Sequence, residues 1–237
     1  MAEDLFGNDI FMKVIAAIPA RANSKGLKNK NLFKINGRPL VHYTFRAFQK
    51  SKLSLGYVLS DSKKIRNLAR RYSLDTNYIR PKKVSTDNTS MIDTIFDFSK
   101  WLKKKNIYFD YLMVLQPTSP LRTYTDINNV KKILKNYKPK SLFSISESIE
   151  HPFETITKYK NSWKKILKPK KIFVRRQDFG VDSFFQNGAI FATHKSLLEK
   201  KILYSNKDHL FYEMKKSKSV EINDIEEAKI VSALLKK

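Results

Sequence analysis

The chain has 237 residues, of which 41% are hydrophobic, 29% charged and 12% aromatic, enough for one sizeable core with at most a small appendage. It contains no cysteine, which excludes disulfides, Cys-ligated zinc, iron–sulfur clusters and thiol catalysis and fits a reducing cytoplasm. Its 47 Lys and Arg against 22 Asp and Glu give a formal charge of +25, which points to an anionic ligand or partner, although the excess is mostly lysine and is spread along the chain.

Residues 1–12 read as a loosely held N-terminal extension, because Met12-Lys13-Val14 makes a natural start to a domain spanning 13–237. The acidic start at Glu3, Asp4 and Asp9 lacks the apolar region of a secretory signal. No run approaches the roughly 18 apolar residues of a membrane-spanning helix, so no membrane partner is expected. The apolar stretch 13–18 reads as the first strand. Residues 39–50 read as a helix, with Leu40, Val41, Tyr43, Thr44, Ala47 and Phe48 near a 3.6-residue period. A second strand at 56–60 leads to Ser62, placed to cap a helix that runs to about residue 72. A short strand at 77–79 precedes Arg80-Pro81, and 89–104 reads as a long helix. Residues 111–115 are continuously apolar, as inside a parallel sheet. A helix at 125–136 and a strand at 142–145 follow.

The texture then changes. Residues 148–185 carry prolines, many lysines and weak periodicity, and read as a β-rich arm leaving the main sheet. Within it, 158–176 has nine basic residues and no acidic one, interleaved with Tyr159, Trp163 and Phe173. That mixture suits nucleic acid, where cations hold phosphates and aromatics stack on bases. It suits a solvated face or a subunit interface better, since the chain shows no nucleic-acid module. A strand at 187–193 and helices at 195–201 and 224–235 complete the chain. The alternation of apolar strands with amphipathic helices makes this an α/β fold with a mostly parallel sheet.

Chemistry concentrates at strand ends. Ile18-Pro19-Ala20-Arg21-Ala22-Asn23-Ser24-Lys25-Gly26-Leu27-Lys28-Asn29-Lys30-Asn31 follows the first strand with four cations and small residues, a loop suited to a strongly anionic ligand. It has neither the Walker A spacing nor the G-x-G-x-x-G fingerprint. Leu115-Gln116-Pro117-Thr118-Ser119-Pro120-Leu121-Arg122 ends the 111–115 strand, where open α/β sheets bind ligands. Its two prolines stiffen a turn bearing Gln116, Thr118 and Ser119. Arg80-Pro81 with Asp87 and Ser90 forms a third group, equally readable as a capped helix start. Arg175-Arg176-Gln177-Asp178 precedes Asn187-Gly188-Ala189-Ile190. Val220-Glu221-Ile222-Asn223-Asp224 precedes the last helix, for which Asn223 and Asp224 also read as cap and first turn.

These segments resemble those of the acylneuraminate cytidylyltransferases, the CMP-sialic acid and CMP-legionaminic acid synthetases. The first loop resembles I-P-A-R-x-x-S-K-G-[LI]-x-x-K-N, the second L-Q-P-T-S-P-L-R, and the fourth R-R-Q-x…N-G-A-[IL], with the likeness running from Lys13 to Lys237. The resemblance implies a Rossmann-like nucleotidyltransferase sheet flanked by helices, with 148–185 as a small dimerisation and sugar-site arm. It implies CMP transfer from CTP to the anomeric hydroxyl of an acidic nine-carbon sugar, N-acetylneuraminic or legionaminic acid, with release of pyrophosphate. Pseudaminic acid or 3-deoxy-manno-octulosonate (KDO) is the alternative substrate, and a basic nucleic-acid-binding protein is the alternative class.

On the same resemblance, Arg21, Lys25 and Lys30 are catalytic, neutralising the triphosphate. Ala20, Arg21, Ser24, Lys25, Asn31, Arg80, Asp87 and Ser90 bind the nucleotide. Gln116, Thr118, Ser119, Arg176, Gln177 and Asn187 bind the sugar. Glu221, Asn223 and Asp224 stand where relatives carry D-[IV]-D and would hold Mg²⁺ (or Mn²⁺) through oxygen. A cytoplasmic homodimer is expected.

Overall fold

The apolar stretches around residues 15 and 113 have no polar side, which places them at the centre of the sheet, covered on both faces. The computed structural model describes residues 12–23, 27–167 and 175–236, with the side chains of Arg176 and Gln177 outside that description. In chain order its elements are β1 (Val14–Pro19), β2 (Lys34–Ile35), β3 (Arg38–Pro39), α1 (Leu40–Gln49), β4 (Leu55–Leu59), α2 (Lys63–Arg70), α3 (Met91–Lys104) and β5 (Tyr111–Leu115). There follow α4 (Tyr124–Tyr137), β6 (Ser141–Glu147), β7 (Ile156–Tyr159), β8 (Ser162–Lys165), β9 (Phe184–His194), α5 (Lys195–Leu198), β10 (His209–Glu213) and α6 (Ile225–Leu234).

Six strands form one sheet in the order β10-β6-β9-β5-β1-β4. β1 pairs in parallel with both β4 and β5, and β10 with β6, whereas β9 is antiparallel to both of its neighbours. The mostly parallel sheet expected from the sequence is therefore present, with one reversed strand inside it. Side chains alternate across it. Ala16, Ile18, Met113 and Leu115 pack with Val41 and Phe45 of α1 and Ile127 and Val130 of α4. Ile15, Ala17, Leu112 and Val114 face Ile95, Phe98 and Leu102 of α3. Each such buried Leu, Ile or Phe contributes about 1.5–3 kcal/mol of transfer free energy. A third cluster joins Ile35 and Leu40 to Ile222, Ala228 and Val231, which docks α6 on the β2–β3 hairpin and brings the 221–224 segment back to the first loop.

Helix starts follow their caps. Ser62 accepts from the Ile65 amide at 3.4 Å and Ser90 from the Asp93 amide at 3.2 Å. Thr123 with Asp126, and Asp224 with Glu227, form capping boxes at α4 and α6.

Two expected elements differ and one strand is additional. The strand at 77–79 is reduced to isolated bridges, Tyr57 with Asp75 and Ser60 with Ile79, because the Asp75 carboxylate takes the Asn77 amide at 2.7 Å and withdraws it from a ladder. The helix at 195–201 stops at Leu198, where the chain turns through Lys201 at φ 56° and the Ile202 amide caps the Leu197 carbonyl at 2.9 Å. The edge strand β10 lies outside the expected elements. The arm leaves from the end of β6 and returns at the start of β9, where Glu147 pairs with Phe184. Its described part holds the antiparallel β7–β8 hairpin, solvent-exposed along both strands.

Candidate active site

β1 and β5 lie side by side and in register from Val14 opposite Tyr111 to Ala17 opposite Val114. The chain moves outward to β4 on one side of β1 and then crosses to β5 on the other. This reversal opens a crevice at the carboxyl ends of β1 and β5. The two motifs best matched in sequence, the loop after β1 and the turn after β5, are thereby brought together.

A cavity of about 210 Å³ sits there, lined by Pro19, Arg21, Lys30, Asn31, Arg80, Thr89, Ser90, Met91, Thr94, Gln116, Pro117 and Thr118. Its cations are held by the protein. Arg21 Nη1 donates to the Thr86 carbonyl at 2.9 Å and pairs with Asp87 Oδ1 at 2.7 Å. Asn31, on the short 3-10 turn of Lys30–Leu32, donates from Nδ2 to the Arg21 carbonyl at 2.9 Å and so fixes the loop backbone beneath that guanidinium. Lys30 Nζ donates to the Ile222 carbonyl at 3.0 Å and to Asn223 Oδ1 at 3.2 Å. Burial lowers the Lys30 pKa, with Glu221 the chief opposing charge. Arg80 is buried, donating from Nε to the Val84 carbonyl at 2.7 Å and from Nη2 to Thr94 Oγ1 at 2.9 Å.

A second cavity of about 480 Å³ adjoins the first and shares Met91 and Gln116 with it. Its other walls are largely apolar: Ile92, Val114, Phe143, Phe191, Ile202, Leu203 and Tyr204, with Gln186 and Lys201. Lys201 pairs with Asp93 at 2.6 Å beside it. Polar positioning at one shared residue, a cationic compartment and an apolar one suit a substrate pair of which one is polyanionic and the other carries apolar groups.

Several expected site residues play other parts. Ser119 is fully buried, its hydroxyl without a partner among the described residues, so it does not face the cavity. Asn187 is also buried. Its Oδ1 accepts from Ser144 Oγ at 2.6 Å and from the Ala189 amide at 3.2 Å, and its Nδ2 donates to Ser219 Oγ at 3.0 Å, so it braces the bulged stretch of β9. Ser90 caps α3 while lining the cationic cavity, and Asp87 faces Arg21. Ala20 is buried, its amide on the Leu59 carbonyl at 3.0 Å. Thr118 donates to Glu221 Oε1 at 2.8 Å. Ser24 and Lys25 lie outside the described residues, as do the side chains of Arg176 and Gln177.

No three His, Cys, Asp or Glu side chains cluster as a ligand set among the described residues. Glu221 and Asn223 nevertheless put a carboxylate and an amide oxygen beside Lys30 at the edge of the crevice. Gly188, at φ +69°, leaves the space there open, since a Cβ on it would lie 3.3 Å from Glu221 Oε2. These two donors fit a divalent cation that takes its remaining ligands from phosphate oxygens and water. Asp224 Oδ1 accepts from the Glu226 and Glu227 amides, both at 2.9 Å, as the cap of α6.

An open α/β sheet with a cation-lined crevice at its switch point defines a protein of the nucleotide-binding class. The family model described as Cytidylyltransferase matches residues 15–231. The chain belongs to the cytidylyltransferase family of nucleotidyltransferase enzymes. It is 32% identical over 198 residues to a CMP-N,N'-diacetyllegionaminic acid synthase of Legionella pneumophila, covering 82% of this chain and 84% of that one. It is 31% identical to an N-acylneuraminate cytidylyltransferase of Escherichia coli, covering 90% of this chain and 49% of a relative about twice as long. Its fold resembles that of a CMP:2-keto-3-deoxy-manno-octonic acid synthetase complexed with CTP, with a TM-score of 0.67 over 94% of this chain and 98% of that one at 15% identity. No helix among the described residues is long and apolar enough to cross a membrane.

Proposed function

We propose that the chain transfers CMP from CTP to the anomeric hydroxyl of an acidic nine-carbon sugar, releasing pyrophosphate. The observation that carries this reading is the pair of adjoining cavities meeting at Gln116, one lined by Arg21, Lys30 and Arg80 and the other by apolar side chains. The triphosphate lies in the first, where Arg21 and Lys30 exchange their protein partners for phosphate oxygens and neutralise charge that grows on the leaving pyrophosphate. The sugar oxygen approaches the α-phosphorus in line with that leaving group, so catalysis rests on positioning and charge stabilisation. Gln116 orients the sugar between the two compartments. The resemblance of its segment assigns Arg176 to the sugar carboxylate, for which a guanidinium fork is well shaped. Lys25 and Ser24, which lie outside the described residues, are assigned to the phosphates by the resemblance of the first loop. Glu221 and Asn223 would hold Mg²⁺, which would supply charge neutralisation at the phosphates.

The apolar cavity favours, among nine-carbon acids, one bearing two acetamido groups, because their methyls find apolar walls at Phe143, Phe191 and Leu203. That is the substrate type in the name of the Legionella pneumophila relative. The 148–185 arm, with exposed Ile156, Tyr159, Trp163 and Ile166, meets a second copy in a cytoplasmic homodimer. Light scattering that finds a fully active monomer contradicts that arrangement.

The test is pyrophosphate release from CTP and Mg²⁺ with N-acetylneuraminic, legionaminic, pseudaminic and KDO acids in parallel. Release with the two diacylated nine-carbon acids, legionaminic and pseudaminic, exceeds that with N-acetylneuraminic acid and KDO on this reading. Silence with all four, despite CTP binding, contradicts it.

A further inference from the structure

We propose that Arg122 is a positioning residue for the sugar side of the site, its buried guanidinium clamping the carboxyl end of β5 to the bulged stretch of β9. This rests on the reading of Gln116 as the residue that orients the sugar.

Arg122 is 2% exposed and among the largest fully buried side chains of the protein. A buried cation is costly, and a Met or Leu would pack the same volume without that cost. No carboxylate pairs with it among the described residues, and its Nε has no hydrogen-bond partner there. Its remaining nitrogens go to backbone and hydroxyl groups at the site. Nη1 donates to the Gln116 carbonyl at 3.0 Å and to the Ala189 carbonyl at 2.9 Å, and Nη2 donates to Thr44 Oγ1 at 2.6 Å. One planar fork thus ties together three elements: the residue after β5, β9 and α1. Only a guanidinium offers that span of fixed donors.

The consequence falls on Gln116. Gly188, next to Ala189 in β9, lies beside the Gln116 amide, where a Cβ on it would meet Gln116 Nε2 at an ordinary contact distance of 3.6 Å. Asn187 fixes one side of this bulged stretch of β9 by accepting from the Ala189 amide at 3.2 Å, and Arg122 fixes the other by holding the Ala189 carbonyl. Arg122 therefore holds both the Gln116 carbonyl and the stretch of β9 that lies beside the Gln116 amide. Burial pushes the guanidinium down to about 10, with Asp126 partly offsetting, so it stays charged near neutral pH.

The test measures KM for the sugar and for CTP separately, with kcat, in Arg122→Lys, Thr44→Val and Gln116→Ala. Arg122→Lys keeps the charge and loses the fork. Thr44→Val keeps Arg122 and removes one of its acceptors, together with the 3.5 Å bond that Thr44 Oγ1 itself donates to the Gln116 carbonyl. We expect the sugar KM to rise about tenfold in Arg122→Lys and about threefold in Thr44→Val, with the CTP KM within about twofold of wild type in both. A purely structural role lowers the amount of folded enzyme and leaves both KM values alone. If Arg122→Lys does not fold, the Thr44→Val ratio of the two KM values decides. Unchanged sugar KM in the foldable variants, or an equal rise in both KM values, overturns the proposal while Gln116→Ala still raises the sugar KM. If Gln116→Ala leaves the sugar KM unchanged, the sugar-site reading fails and the inference falls with it.

Discussion

The crevice after β1 and the β7–β8 hairpin are built from similar material, basic side chains beside aromatic or apolar groups, yet they are organised in opposite ways. In the crevice each described cation is anchored: Arg21 on Thr86 and Asp87, Lys30 on Ile222 and Asn223, Arg80 on Val84 and Thr94. On the hairpin Lys158 and Lys164 lie over the Trp163 and Tyr159 rings, with both strands open to solvent. Anchoring costs desolvation, which the fold accepts where charge must point in one direction. Solvated lysines carry no such cost and specify little. Net charge alone is therefore a poor guide to function in this chain. What distinguishes the crevice is that its cations converge on a cavity.

Breaking the anchored side gives the largest effect. Lys30→Ala should reduce turnover by about a thousandfold or more, comparable with removing a transition-state charge contact, while circular dichroism stays native. Near-normal turnover in that variant contradicts the assignment of the first loop. Next in size is Gln116→Ala, for which steady-state kinetics should give a sugar KM about tenfold higher with the CTP KM nearly unchanged.

A stability effect follows at Asp126, behind the site. Burial pushes its carboxyl up, but hydrogen bonds from Thr123, with Lys218 and Tyr212, hold it net below the usual carboxylate range. A folded-state pKa below the unfolded value stabilises the protein above the unfolded pKa and ceases to do so as pH falls through the folded one. Asp126→Asn should therefore cost about 1–2 kcal/mol at pH 7 in urea unfolding, a difference that shrinks below about pH 4. An undiminished difference at low pH contradicts this account of the cap. The smallest effect belongs to the hairpin: Lys158→Ser with Trp163→Ser should change protomer stability by less than about 0.5 kcal/mol.

Much of this was legible in residue order. The 14–19 and 111–115 strands announce themselves by unbroken apolar character, and Ser62, Ser90 and Asp224 announce helix starts. Which motifs gather at one sheet edge was also legible, since both loops follow buried strands. What the sequence left open is which side of each motif faces the ligand. Ser119 and Asn187 sit in the right segments and are buried, Asn187 because the Ser144 hydroxyl and the Ala189 amide take its side-chain oxygen. Arg21 with Asp87, and Lys30 with Asn223, join residues remote in sequence through α6 docking and the 86–89 turn, and no local pattern encodes such pairs. Arg122 reads as the polar end of a motif and proves to be the most enclosed charge beside the site.

The most direct measurement is a crystal structure of the protein with CTP bound. The triphosphate should lie between Arg21 and Lys30, with Arg21 drawn off Asp87 and the apolar cavity beyond Gln116 left open for the sugar. A triphosphate held on the 148–185 arm, or a cytidine seated among Phe143, Phe191 and Leu203, would contradict the division of the site into an anionic and an apolar compartment.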